Sequence, residues 1–250
     1  MHDVGVKTKI TDFEDGAESH INLTMVTPDG QRTFANLPHT TRITPEIVDD
    51  FADDIIDADL LVIEGYLFID QTDAVDRALE LARENNVKIA ITLAAEKVVI
   101  DNHDTIAEHI EDGIDLFIAN EEELDALIDG AGHDEELEKC IAGTTRVVTQ
   151  GSEGCEYFNP TDDIFIDMGT AALPGKLLDT NGAGDGFLGG FLSVYDATET
   201  PTDGIKTVIA LLTGAAVAAE VICQTGPRLA QATYQKAAEK AAEPDIAFDE

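Results

Sequence analysis

Residues 179–192 read Asp179-Thr180-Asn181-Gly182-Ala183-Gly184-Asp185-Gly186-Phe187-Leu188-Gly189-Gly190-Phe191-Leu192. The small residues at 182–184 let the backbone turn tightly, and the pattern after them predicts a helix over about 184–196. Consecutive N–H groups then point into one space at a helix N-terminus, where unpaired donors and the positive dipole end favour an anion. The stretch reads as a phosphate cradle. Asp185 lies beside it, where a carboxylate would only repel bound phosphate unless it had a chemical task. Proton removal is such a task. A hydroxyl attacking a terminal phosphoryl group needs a base within hydrogen-bond reach, while N–H groups hold the charge developing on the phosphoryl oxygens. For a bare Gly-x-Gly-Asp, a turn whose Asp caps the next helix is the structural alternative.

Gly184-x-Gly186-x-x-Gly189 also matches the dinucleotide fingerprint. That fingerprint belongs in the first βα turn of its unit, whereas this one lies late in the chain with mostly helix after it. A dinucleotide-dependent oxidoreductase is therefore disfavoured.

Upstream, the chain alternates strand and helix. Residues 21–37 give two alternating runs around Pro28-Asp29-Gly30, the pattern of a β-hairpin. Thr44 reads as an N-cap with Pro45 at the first helical position, and Ile47, Phe51 and Ile55 fall on one helical face. Strands are expected at 60–66, 88–94, 114–119 and 145–150, with helices at 71–86, near 103–111 and within 121–142. Repeated βα units predict an α/β fold, a mostly parallel sheet with helices on both faces and ligands beyond the carboxyl ends of the strands. After Gln150 two short antiparallel β segments are expected before the phosphate loop. An apolar helix over about 203–222, stopped by Gly226-Pro227, and an Ala-rich helix over about 229–242 follow it.

Two strand ends carry further candidates. Asn120 and Glu123 stand three apart at a strand-to-helix junction, a spacing that suits a capping box as well as a shared ligand. Thr149-Gln150-Gly151-Ser152-Glu153-Gly154 follows a core strand, and its glycine pair also suits a plain hairpin.

Asp-Thr-Asn-Gly-Ala-Gly-Asp followed by Gly-Phe-Leu-Gly-Gly-Phe-Leu resembles the C-terminal signature of the ribokinase-like, or phosphofructokinase B, carbohydrate and nucleoside kinases. The resemblance implies Asp185 as catalytic base and the backbone of Gly182, Ala183 and Gly184 as anion hole. Gly186 stands where such proteins usually have Ala. Asn120 and Glu123 resemble the family's Asn-x-x-Glu motif, which positions Mg2+ and phosphates, often through water. Thr149, Gly151 and Gly154 match its Thr-x-Gly-x-x-Gly turn beside the nucleotide phosphates. The same resemblance places Asn181 with the ATP site and puts a monovalent cation, K+, near Asp179 and Thr180. Gln224-Thr-Gly226-Pro-Arg228 resembles the adenine-side ending of adenosine-kinase-like members, and Glu64-Gly-Tyr-Leu67 also resembles that subgroup. ATP is the implied co-substrate.

The likeness extends over about residues 20–230 and begins late. Family members carry an opening strand, a Gly-Gly-x-x-x-Asn segment that grips substrate, and more of a β lid, none of which is matched here. One domain over 1–250, N-terminally shortened, is expected, with the hairpin at 20–40 as what remains of the lid and as the contact of a homodimer. The acceptor is then a nucleoside, adenosine-like, by subgroup likeness. A ribokinase- or fructokinase-type sugar kinase and a non-catalytic nucleotide-binding remnant are the alternatives.

Composition bounds the partners. With 51 acidic and 15 basic residues the formal net charge is −36, which disfavours nucleic acid and anionic membrane, since both need Lys and Arg. Such self-repulsion suits a salt-rich, halophilic setting. Three widely spaced cysteines, Cys140, Cys155 and Cys223, suit a reducing cytosol. The apolar run around Val208–Ala219 is broken by Thr213 and Gly214 and reads as too short to span a bilayer.

Overall fold

A computed structural model describes residues 21–26, 32–37, 42–130, 134–195 and 204–242. The strands β1 (Ile21–Val26) and β2 (Arg32–Leu37) pair antiparallel, from Ile21 opposite Leu37 to Val26 opposite Arg32, in a sheet of their own. The Pro28-Asp29-Gly30 turn expected between them lies outside the described residues.

Thr44 caps α1 (Pro45–Asp49) as its side chain predicts, Oγ1 accepting from Ile47 N–H at 3.5 Å. The helix then stops. Phe51 leaves helical geometry at φ −106°, ψ 6°, and α2 (Ala52–Ile56) starts afresh. The expected single face thus becomes two short helices, each turning its own apolar residues inward: Val48 is buried, and Ala52 and Ile55 pack against the core.

A six-stranded sheet follows in sequential order: β3 (Leu60–Glu64), β4 (Lys88–Thr92), β5 (Leu116–Asn120), β6 (Thr145–Thr149), β7 (Cys155–Asn159) and β8 (Ile164–Met168). The first four are parallel and the last two antiparallel. The change of direction expected after Gln150 is therefore present. Helices α3 (Thr72–Glu84), α4 (Glu96–Asp101), α5 (His103–Glu111), α6 (Glu121–Gly130) and α7 (Glu135–Gly143) connect the parallel strands. After β8 come α8 (Ala183–Leu192), α9 (Gly204–Ile222) and α10 (Gln231–Ala242).

The strands' alternation sorts side chains between two cores. Ile89, Ile91, Phe117 and Ala119 point to the core shared with α3–α7. Ala90, Leu116, Ile118 and Val147 point to the opposite core, closed by Phe187 and Phe191 of α8 and Ala210 and Leu211 of α9. Burial on both faces explains why these strands read as nearly continuous apolar runs. The chain is thus an α/β fold with a mostly parallel sheet and helices on both faces.

By length and composition, α9 is long and apolar enough to cross a membrane, longer than the apolar run in the sequence suggests. Here it is a core helix. Its buried face carries Thr207, Ala210, Leu211, Thr213, Gly214, Val217, Ala219 and Val221. A Cβ on Gly190 would lie 2.8 Å from Thr213 O and 2.9 Å from Gly214 Cα, so α8 and α9 cross with their backbones nearly touching.

Candidate active site at the carboxyl edge of the sheet

Parallel register brings the strand ends together. Glu64 lies opposite Thr92, Thr92 opposite Ile118, and Asn120 opposite Thr149. The residues ending β3, β5 and β6 therefore stand along one edge, the edge where parallel α/β sheets bind ligands.

At the end of β5, Asn120 and Glu123 form a reciprocal cap. Glu123 N–H donates to Asn120 Oδ1 at 2.8 Å, Asn120 N–H donates to Glu123 Oε2 at 3.0 Å, and Asn120 Nδ2 donates to Glu123 Oε1 at 2.8 Å. The capping-box reading of this spacing is what the geometry contains. Glu123 is buried, and that burial raises its carboxyl pKa against the opposing effect of the Asn120 N–H.

At the end of β6, the turn to β7 depends on two glycines. Gly151 has φ +56° and Gly154 φ +119°, and a Cβ on Gly154 would fall 1.9 Å from Met168 O. Gln150 N–H donates to Gly154 O at 2.8 Å and Glu153 N–H to Gln150 O at 3.0 Å, closing the turn. Thr149, Gly151 and Gly154 line a cleft together with Ala183 and Gly184. Phe187, Ala215 and Ala218 add apolar lining.

The helix start at that cleft is tightly built. Asp179 Oδ1 accepts from Asn181 N–H at 2.9 Å and Oδ2 from Gly226 N–H at 3.2 Å. Gly182 is the N-cap at φ +78°, and a Cβ there would lie 2.3 Å from Pro227 Cβ. Ala183 N–H donates to Thr180 O and Gly186 N–H to Gly182 O. The N–H groups of Gly184 and Asp185 have no backbone acceptor among the described residues, the orphan donors expected in a first helical turn. Asp185 is exposed on that same turn.

Glu64 and Tyr66, marked in the sequence only by the subgroup likeness of Glu64–Leu67 and given no role there, join this site. Burial raises the Glu64 pKa, the Tyr66 N–H opposes that, and the negative charges of Asp185 and Glu123 raise it further. Burial also raises the Tyr66 hydroxyl, followed by Glu64, Glu123 and Asp185. The expected strand over 60–66 ends instead at Glu64, and Gly65–Phe68 form a 3₁₀ turn. A Cβ on Gly65 would meet Leu93 O at 2.4 Å, so glycine alone lets the turn cross the end of β4. A carboxylate ending an apolar run, Leu-Leu-Val-Ile-Glu, was the available signal.

Among the described residues no three His, Cys, Asp or Glu side chains gather closely enough to hold a metal by themselves. The donor set still suits Mg2+, which keeps its waters and binds through one or two carboxylates plus substrate phosphates. Both charges acting on Glu64 are negative, a field that a cation would relieve. Asp179, expected near a monovalent ion, uses its carboxylate oxygens as acceptors for two backbone N–H groups, and Gly226, expected at the nucleotide, meets Asp179 rather than the cleft lining.

A profile of the pfkB family of carbohydrate kinases matches residues 1–233. Guanosine-inosine kinase of Escherichia coli (strain K12) is 25% identical, over 68% of this chain and 49% of its own length. The chain thus spans about half the length of the curated relatives it matches. Adenosine kinase from Sinorhizobium meliloti superposes with a TM-score of 0.75 at 26% identity, covering 90% of this chain and 67% of that one. Ribokinase from Giardia lamblia, at 17% identity, shares the fold with a TM-score of 0.70, covering 96% of this chain and 76% of that one.

Proposed function

Since the chain belongs to the pfkB family of carbohydrate kinases, we propose that it transfers the terminal phosphoryl group of ATP to a primary hydroxyl of a purine nucleoside. The observation that carries this reading is the meeting of three elements at one edge. The Thr149–Gly154 turn and the Ala183–Gly184 helix start line one cleft, and the exposed Asp185 stands on that helix's first turn, where its charge reaches Glu64 at the end of β3.

In this reading Thr149, Gly151 and Gly154 hold the nucleotide phosphates, with Asn181 and Gly226 on the ATP side. Asp185 accepts the proton of the attacking hydroxyl. Of the Gly182–Gly184 backbone expected to hold the charge developing on the transferring phosphoryl oxygens, the Ala183 N–H is engaged by Thr180 O, so that task falls to the N–H groups of Gly184 and the adjoining Asp185, which have no backbone acceptor among the described residues, and catalysis comes from positioning and fixed dipoles. Bound Mg2+ would supply charge neutralisation between the phosphates. Glu123, held in place by Asn120, and the neighbouring Glu64 are the side chains that would orient it. In this reading a monovalent cation, K+, binds near Asp179 and Thr180. The β1–β2 hairpin is assigned as lid and homodimer contact, a role that suits its exposed Leu23 and Met25 on one face.

A nucleoside acceptor is supported by the guanosine-inosine and adenosine kinases at 25% and 26% identity. A pentose or hexose is the second reading, supported by the family's description as carbohydrate kinases. Coupled ADP release with adenosine, guanosine, inosine, ribose and fructose, in potassium buffer with Mg2+ and ATP, separates them. Turnover with a nucleoside alone is expected. Turnover with ribose or fructose alone would move the acceptor to the sugars. ATP binding with no turnover on any acceptor, in folded protein, would favour a non-catalytic nucleotide-binding protein.

A further inference from the structure

The loop after α9 braces the anion turn from behind. The Ile222 carbonyl at the end of α9 accepts the N–H groups of Leu178, at 2.8 Å, and Asp179, at 3.3 Å. Gly226 presents its N–H to Asp179 Oδ2, and Pro227 packs on Gly182 so closely that no side chain fits between them. These contacts join positions far apart in sequence, and the turn they brace carries the donors assigned to the phosphoryl oxygens.

The loop's own shape has one evident cause. The side-chain amide of Gln224 donates to Gly226 O at 3.0 Å and to Arg228 O at 2.8 Å. Gly226 sits at φ +82°, a left-handed conformation that lets its N–H face Asp179. Without the amide, two carbonyls lose their donor and Pro227 loses the tether on either side of it.

Resting on the kinase reading above, we propose that Gln224 is a positioning residue for phosphoryl transfer. It shapes residues 226–228 so that Gly226 and Pro227 fix Asp179 and Gly182, and through them the N–H groups at the start of α8. Preorganised donors act only when correctly placed, and small displacements are costly to rate.

Gln224→Glu keeps the shape and removes the donors, and Gln224→Met keeps the length without any polar group. Two measurements test them: steady-state kinetics with the acceptor that the wild type uses, and amide hydrogen exchange over 179–190 in protein without ligand. Both variants are expected to lower kcat at least about tenfold, with KM for ATP and acceptor changing less than about twofold. Exchange should accelerate within 180–186 while the first half of α9 stays protected. Unchanged kcat with unchanged exchange at 180–186 would overturn the proposal. So would faster exchange throughout α9 and α10 with a general fall in thermal stability, since that marks a packing role. If the wild type turns over no acceptor, that failure belongs to the kinase reading, and the exchange result still decides whether Gln224 sets the turn.

Discussion

Asp185, on the first turn of α8, acts on the charge of Glu64, at the end of β3, although the two come from opposite halves of the chain. The Asp185 carboxylate adds to the burial that already lifts the Glu64 pKa. The pair links the strand edge to the start of α8, and it makes two residues separately testable.

Glu64 first gives a pH-dependent stability. Its native pKa lies above its ordinary value of 4.5, so the folded state holds the proton more tightly than the unfolded chain. That contribution is complete below 4.5 and is lost as pH rises through the native value. Glu123 shifts in the same direction. Glu64→Gln keeps an oxygen for the Tyr66 N–H and carries no charge. Its melting temperature should exceed that of the wild type at pH 7, and the gap should close on approaching pH 4.5. A gap independent of pH would show that the Glu64 charge is not destabilising.

Asp185→Asn tests the base. Removing a general base is expected to cost at least ~10² in kcat. Stability at neutral pH should not fall, because the side chain is exposed and its neighbour Glu64 is itself acidic. Coupled ADP release beside a thermal melt reads both. Near-normal turnover would remove Asp185 from the proton's path.

Much of this architecture was legible in the residues. Thr44-Pro45 announced a helix start, alternating apolar runs announced the strands, and Asn120 with Glu123 announced a cap. Periodicity reports which face of an element is apolar and not what that face meets. The apolar lining of the cleft, Phe187 with Ala215 and Ala218, therefore looked like ordinary helix core. The break at Phe51 was hidden because Ile47, Phe51 and Ile55 keep helical spacing even though Ile47 and Ile55 belong to separate helices and Phe51 to neither. Glu64 was hidden for a different reason: its partners in the field lie far along the chain, and only folding makes them neighbours.

The glycines of α8 divide in the same way. Gly189 and Gly190 are adjacent and indistinguishable by sequence, yet a Cβ on Gly189 meets nothing within 4 Å while one on Gly190 meets the α9 backbone. Gly190→Ala is expected to destabilise by about 1–3 kcal/mol through overpacking. Gly189→Ala should be neutral or stabilise by up to about 1 kcal/mol, since alanine favours helix. Denaturant unfolding of the two variants checks this. Equal effects would mean that α8 and α9 do not approach as closely as their glycines indicate.

Salt separates two roles for cations. A formal charge of −36 means that raising ionic strength should stabilise the fold whichever monovalent cation is used, because screening shortens the reach of repulsion from about 10 Å at 0.1 M to about 3 Å at 1 M. A cation held by Asp179 and Thr180 behind the anion turn would instead discriminate by ion, and would act on kcat more than on melting temperature. KCl, NaCl and choline chloride at equal ionic strength are therefore expected to raise the melting temperature alike, while kcat is highest in KCl. Equal kcat in all three would leave Asp179 a structural role, as in its clasp between Asn181 and Gly226, and no cation. Maximal stability in dilute buffer would contradict the repulsion argument, and with it the inference that this acidic surface is matched to a salt-rich setting.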